Sequence, residues 1–128
     1  MTETSAGRSA TTRNAALGAY GERVAETHVR QHGFVVLDRN WCCDQGEIDL
    51  VLRDGAVLVV CEVKTRTNFD HGSPHEAITD VKLRRLQRLG RQWSETHHVS
   101  PPEIRVDLVA VLRPAKGAAL VEHVKGIG

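Results

Sequence analysis

The chain has 128 residues, 41% hydrophobic and 26% charged, which fits one globular domain with its own core and needs no staple to hold it. Its net charge of +1 means that any charged surface has to be found locally. Three cysteines, Cys42, Cys43 and Cys61, form no C-x-x-C pair and are odd in number, which argues against a disulfide framework or a cysteine zinc site and fits a reducing cytoplasm.

Residues Met1 to Asn14 are rich in Ser, Thr, Gly and Ala and lack an apolar period, so they are expected to form a disordered arm ahead of a single domain over 15–128. From Ala15 to Gln31 the spacing is helical: Leu17, Tyr20, Val24 and His28 share a stripe with Ala25 beside it, and Gly33 suits the stop. Phe34 to Asn40 reads as a first strand. Glu47 to Arg53 reads as a second, with Ile48, Leu50 and Leu52 on one face and Glu47, Asp49 and Val51 on the other. Asp54-Gly55 is a two-residue hairpin signal, and Ala56 to Arg66 follows as a third strand.

Asn68 to Pro74 is turn-rich, and His75 to about His97 reads as a second helix packing through Leu83, Leu86, Leu89, Gly90 and Trp93. Pro101-Pro102 precedes a strand from Ile104 to Leu112 and a short one from Ala119 to Val124. The α-β-β-β-α-β-β order predicts an α/β fold, a mixed sheet of about five strands flanked by helices. No apolar run reaches the roughly 18 residues of a membrane helix, and the start lacks a signal-peptide pattern.

The hairpin carries the chemistry. With Asp54 and Gly55 as turn residues, Leu52 faces Val57, Asp49 faces Val60 and Glu47 faces Glu62. Asp49 and Glu62 then become diagonal neighbours on one face, roughly 7–8 Å apart, with Lys64 further along it. Carboxylates in apolar strands are costly unless paired or bound to a cation. Two of them sharing a face suit a hard, oxygen-preferring ion, Mg2+ or Mn2+, and a nearby lysine suits phosphodiester hydrolysis. Glu62-Val63-Lys64 alone is also the pattern of an ordinary exposed ion-pair ladder. Its combination with Asp49 across a hairpin, in strands apolar on both faces, favours a metal site.

Several motifs in order resemble the YraN-like family of small bacterial proteins. They are Gly18-Ala19-Tyr20-Gly21-Glu22-Arg23-Val24-Ala25, Arg39-Asn40-Trp41, Gly46-Glu47-Ile48-Asp49-Leu50-Val51, Glu62-Val63-Lys64-Thr65-Arg66, Lys82-Leu83-Arg84-Arg85 and Arg105-Val106-Asp107. That family looks like the restriction-endonuclease fold and, within it, the Holliday-junction resolvases. The resemblance implies a PD-(D/E)xK constellation in which Asp49 and Glu62 hold the metal and Lys64 is the lysine. It also implies that Glu22 matches the helical glutamate of resolvase-like members. Ile48 stands where a proline commonly precedes the aspartate. From the residues alone, Glu22 reads as a solvated helical acid one turn from Glu26.

Lys82, Arg84, Arg85, Arg88 and Arg91 lie within ten residues that contain no acid, and with Arg66 they are candidate DNA-backbone contacts. The 4% aromatic content argues against a base-stacking surface for single strands. His71 and His75 are spaced i,i+4, but Pro74 and the missing further ligands make zinc improbable. Trp41 and Trp93 read as packing residues, and Arg105 with Asp107 as a structural pair.

The sequence therefore points to a cytoplasmic Mg2+- or Mn2+-dependent endonuclease acting on duplex or branched DNA. The alternatives are a non-catalytic nucleic-acid-binding protein that keeps the fold and, third, an interaction scaffold. Paired cuts across a junction would call for a twofold homodimer, which no residue marks.

Overall fold

The computed structural model describes residues 5–67 and 78–127, with side chains from residue 15 onward. The Asn68–Pro74 turn segment and the His71/His75 pair lie outside the described residues. Seven elements follow in order: α1 Ser5–Gln31, β1 Val35–Cys43, β2 Gly46–Asp54, β3 Val57–Arg66, α2 Asp80–Thr96, β4 Glu103–Leu112 and β5 Leu120–Val124. They build one five-stranded mixed sheet in the order β1-β2-β3-β4-β5. β1, β2 and β3 form an antiparallel meander, β3 and β4 run parallel through the α2 crossover, and β5 returns antiparallel.

The expected α/β architecture is the observed one, and the departures from expectation are local. Helix α1 begins at Ser5, ten residues before the apolar stripe and inside the segment expected to be a disordered arm. The Ala, Ser and Thr residues there carry no apolar period, so the periodicity gives no sign of the extension. The stripe itself is turned by one position, since Gly21, Ala25 and Val29 are buried while Tyr20 and Val24 flank them. Helix α2 begins at Asp80 rather than His75. Thr79, in extended conformation, caps it by accepting the Lys82 amide hydrogen bond at 3.2 Å.

Each face of the sheet carries one helix. Ala25, Val29 and Phe34 pack with Leu50, Leu52, Val59, Cys61, Val109 and Val111 on the α1 side. Leu86, Leu89 and Trp93 pack with Ile48, Val51, Leu58, Val60 and Val106 on the α2 side. Gly90 lets α2 approach closely, because a Cβ there would meet Val60 Cγ2 at 2.7 Å. Ile48 corrects the expected alternation. It packs on the α2 side with Trp41, opposite the face taken by Leu50 and Leu52. The break coincides with Asn40 on the paired strand, whose φ of 50° is left-handed and turns the local twist.

The hairpin turn is Gly55-Ala56, not Asp54-Gly55. Asp54 pairs with Val57, and Leu52 lies opposite Val59 rather than Val57. Gly55 has φ +61°, and a glycine leading the turn suits a type II′ hairpin. Asp54 stays in the strand, where its carboxylate accepts from Arg105 Nη1 at 3.0 Å. Pairing partners shift by two residues, an even number, so the side-chain faces near the turn survive the correction.

Candidate active site at the fork of the hairpin

The β2–β3 ladder ends at Leu50 opposite Cys61. Carried one step further, the same register sets Asp49 directly opposite Glu62, closer than the diagonal expected from the sequence. Beyond it the strands part, and the Asp49 side chain fills the fork: its Oδ2 accepts the Val63 amide hydrogen bond at 2.8 Å. A side chain thus replaces a backbone partner where the strand twist changes. β3 continues beside β4 through Arg66 opposite Leu112, so Glu62 and Lys64 remain anchored on the β4 side where the β2 ladder has ended. Glu62 is only 6% exposed. Lys64 Nζ lies 3.5 Å from Glu62 Oε2.

Both helices feed the fork. α1 crosses β3 at Gly21, where a Cβ would fall 1.8 Å from Thr65 Oγ1 and 2.8 Å from Thr65 Cβ. That contact sets the height of Glu22, the next residue, whose half-buried carboxylate faces the field of Glu47 and Glu62 with the Asn40 amide beside it. Glu26, one turn on, is engaged elsewhere, with Arg30 at 2.9 Å and Arg39 at 2.5 Å. The two helical acids therefore do not form one solvated stripe. From the other face, α2 sends Lys82, whose Nζ donates to Glu62 Oε2 at 2.5 Å.

Gly21→Ala tests the α1 approach. Neither Thr65 Cβ nor the β3 backbone can retreat far, so the helix must lift. The expected destabilisation is about 2–4 kcal/mol in urea unfolding, with partial recovery in the double variant Gly21→Ala/Thr65→Gly. A single variant as stable as the wild type would mean that α1 does not sit on Thr65.

The electrostatics single out Asp49. Burial, then the Glu62 charge, then Glu22 and Glu47 push its carboxyl up to about 7, against the opposing Val63 hydrogen bond. Glu22 is also raised, by burial first and then by Glu47 and Glu62, with Asn40 opposing. Burial alone would lower Lys82, but the Glu62 carboxylate outweighs it and holds the ammonium protonated. Four carboxylates thus share a neighbourhood with two ammonium groups, an excess of negative charge in a partly desolvated place.

Among the described residues, no three His, Cys, Asp or Glu side chains stand at metal-coordinating geometry. The donor set nevertheless fits a hard divalent cation. It is all carboxylate oxygen, and Asp49 is raised by burial and by the neighbouring negative charges, which a cation would offset. Among the described residues Asp49 Oδ1 and Glu62 Oε1 accept no hydrogen bond, while Oδ2 and Oε2 are held by Val63 and the lysines. Asp49 and Glu62 would hold the ion.

The expected site residues divide into two groups. Glu22, Asp49, Glu62 and Lys64 come together at the fork. Glu47 stands at its exposed rim opposite Cys42. Lys82, expected on the basic surface with the arginines, belongs to the fork instead, because the first turn of α2 lies over Glu62. Arg84, Arg85, Arg88 and Arg91 are exposed on α2 and, among the described residues, form no ion pairs, while Arg66 is half-buried at the end of β3. Asn40 was missed. Its place within the Arg39-Asn40-Trp41 motif was the available signal, but the contact with Glu22 joins β1 to α1 and leaves no local pattern.

A second buried polar cluster is structural. Asp107 is 0% exposed and accepts from Arg105 Nε at 2.8 Å, Arg105 Nη2 at 3.0 Å and the Gly126 amide at 3.0 Å, with His123 Nε2 at 2.8 Å. The sequence expectation of an Arg105–Asp107 pair holds, and the structure adds His123, Gly126 and Asp54. Trp93 is buried as expected and donates its indole N–H to Asp38 at 2.9 Å.

Fold and site together define a small α/β protein with a carboxylate–lysine cluster where a hairpin opens between two helices. Residues 21–111 match the model of the Uncharacterised protein family UPF0102, and the chain belongs to that family. It is 57% identical over 113 residues to a UPF0102 protein of Nocardioides sp., covering 88% of this chain and 91% of that one. A UPF0102 protein of Beutenbergia cavernae is 52% identical, with 88% and 96% covered. One from Streptomyces coelicolor is 50% identical, with 88% of each covered. The matched span holds every residue of the fork and the whole basic face of α2.

Proposed function

We propose that this protein is a Mg2+- or Mn2+-dependent endonuclease of restriction-endonuclease-like type that hydrolyses DNA phosphodiesters, at branched or junction structures in particular. The observation that supports this most is the meeting of Asp49, Glu62 and Lys64 at the hairpin fork, with Glu22 delivered from α1. A divalent ion held by Asp49 and Glu62 would polarise the phosphate and acidify a bound water. Lys64 orients the attacking water and offsets the charge that grows on the phosphate oxygens. Glu22, made more basic by burial and by the charges of Glu47 and Glu62, takes up a proton at the edge of the site. The exposed Arg84, Arg88 and Arg91, at i, i+4 and i+7 on α2, bind backbone phosphates beside the fork with Arg85 and Arg66. DNA is the partner, reached in the cytoplasm, and paired cuts would be made by a homodimer. Among the described residues no helix is long and apolar enough to cross a membrane.

The test is cleavage of branched and linear duplexes with Mg2+ or Mn2+. Asp49→Ala and Glu62→Ala are each expected to lower the rate at least about 1000-fold, as removal of a metal ligand and its positioning would. Activity undiminished in both variants would sink the mechanism.

The Lys82–Glu62 bond favours a second reading, because it satisfies one Glu62 oxygen without a metal. In that reading the protein binds nucleic acid and does not cut. Calorimetric titration separates the two: salt-sensitive DNA binding with no metal binding would select the second.

A further inference from the structure

The fork contains one cation more than a PD-(D/E)xK constellation requires. Lys64 already lies beside Glu62, yet Lys82 comes from another element and makes the shorter contact, 2.5 Å against 3.5 Å, to the same oxygen. Its backbone is fixed, since Thr79 caps its amide and Leu83 N donates to Thr79 O at 2.9 Å. A lysine in the first turn of a helix also faces the positive end of the macrodipole, an unfavourable place unless a nearby anion compensates. Glu62 is that anion. The side chain is 30% exposed, so the ammonium lies at the mouth of the site, within reach of solvent and of anything docked on α2.

We propose that Lys82 is the resident cation of the fork. It holds Glu62 while no divalent ion is bound, and it turns to a DNA phosphate when an ion takes that carboxylate. The inference rests on the proposed metal-dependent reading of the site. Charge balance motivates it. Four acids face two lysines, an excess of two negative charges that draws in a doubly charged ion, and an ion held by Asp49 and Glu62 competes directly with Lys82 for the Glu62 carboxylate. The released ammonium sits at the mouth of the fork, in the first turn of the helix that carries the arginines, and among them Arg85, at i+3, is its neighbour on the helix surface. Metal occupancy and DNA grip then become one event, with Lys82 as a positioning residue that joins them.

The experiment titrates the full chain with Mn2+ alone, by calorimetry, comparing the wild type, Lys82→Met, Asp49→Asn and, as a control for one lost charge elsewhere, Lys116→Met. Lys82→Met should bind Mn2+ roughly ten-fold more tightly, because the competing internal cation is gone. It should also cut DNA more slowly at saturating Mn2+, and Lys116→Met should match the wild type. Unchanged or weaker Mn2+ binding in Lys82→Met would overturn the proposal. A second reading needs no variant: the Lys82 side-chain ε-CH2 resonance of the wild type should move on Mg2+ saturation, and a resonance that stays fixed also overturns it. Failure of the parent reading looks different, since the wild type would then bind no Mn2+ and Asp49→Asn would change nothing.

Discussion

Asp49→Asn should yield a protein that is more stable at pH 8 than the wild type and unable to cut DNA. The unfolded aspartate loses its proton near 3.8, whereas the folded one keeps it until about 7. Ionising Asp49 therefore weakens the folded state progressively between these values and fully above about pH 7. At about 1.4 kcal/mol per unit the upper limit is about 4 kcal/mol. Because Glu62 shares the interaction, about 2 kcal/mol is expected, or several degrees in Tm. Asparagine keeps an oxygen for the Val63 amide and carries no charge. The gap between variant and wild type should vanish at pH 4, open through pH 7, and close again when Mg2+ is added to the wild type. A gap independent of pH would show that Asp49 is not strained by its neighbours.

Asp107→Asn should do the reverse. There burial is overcome by His123, Arg105 and the Gly126 amide, and the carboxyl is held down at about 2. The carboxylate contributes stability that is complete above 3.8 and is lost as pH falls towards about 2. Its replacement leaves Arg105 facing an amide in a fully buried place, and about 3 kcal/mol should be lost at pH 7. Urea unfolding at pH 7 and pH 2 measures the effect, and the two proteins should converge at the lower pH. Equal stability at pH 7 would remove Asp107 from the framework.

These two aspartates show what the sequence could and could not reveal. Strand alternation, helical spacing and a Gly-containing turn are local signals, so the elements and the two-faced sheet were legible. The turn itself was displaced because Asp54 pairs with Arg105, a partner fifty-one residues away. The facing of Ile48 was missed because the left-handed Asn40 on the neighbouring strand breaks the alternation. Asp49, Glu62 and Lys64 were recoverable because both strands belong to one hairpin and the register error was even. Lys82 was assigned by composition to a basic face. Only the packing of α2 through Leu86, Leu89 and Trp93 shows that its first turn overhangs Glu62.

The single parallel pairing, β3 with β4, has a further consequence for how the molecule is born. β1, β2 and β3 are joined by short turns, so their contacts close small loops at little entropic expense. The β3–β4 pairing instead has to enclose the whole of α2 and is the slower step. Asp49 and Glu62 are thus brought opposite one another early, before α2 delivers Lys82. In a nascent chain the meander would hold two facing carboxylates with no ammonium from α2, and a divalent cation in solution would be the first partner able to quieten them.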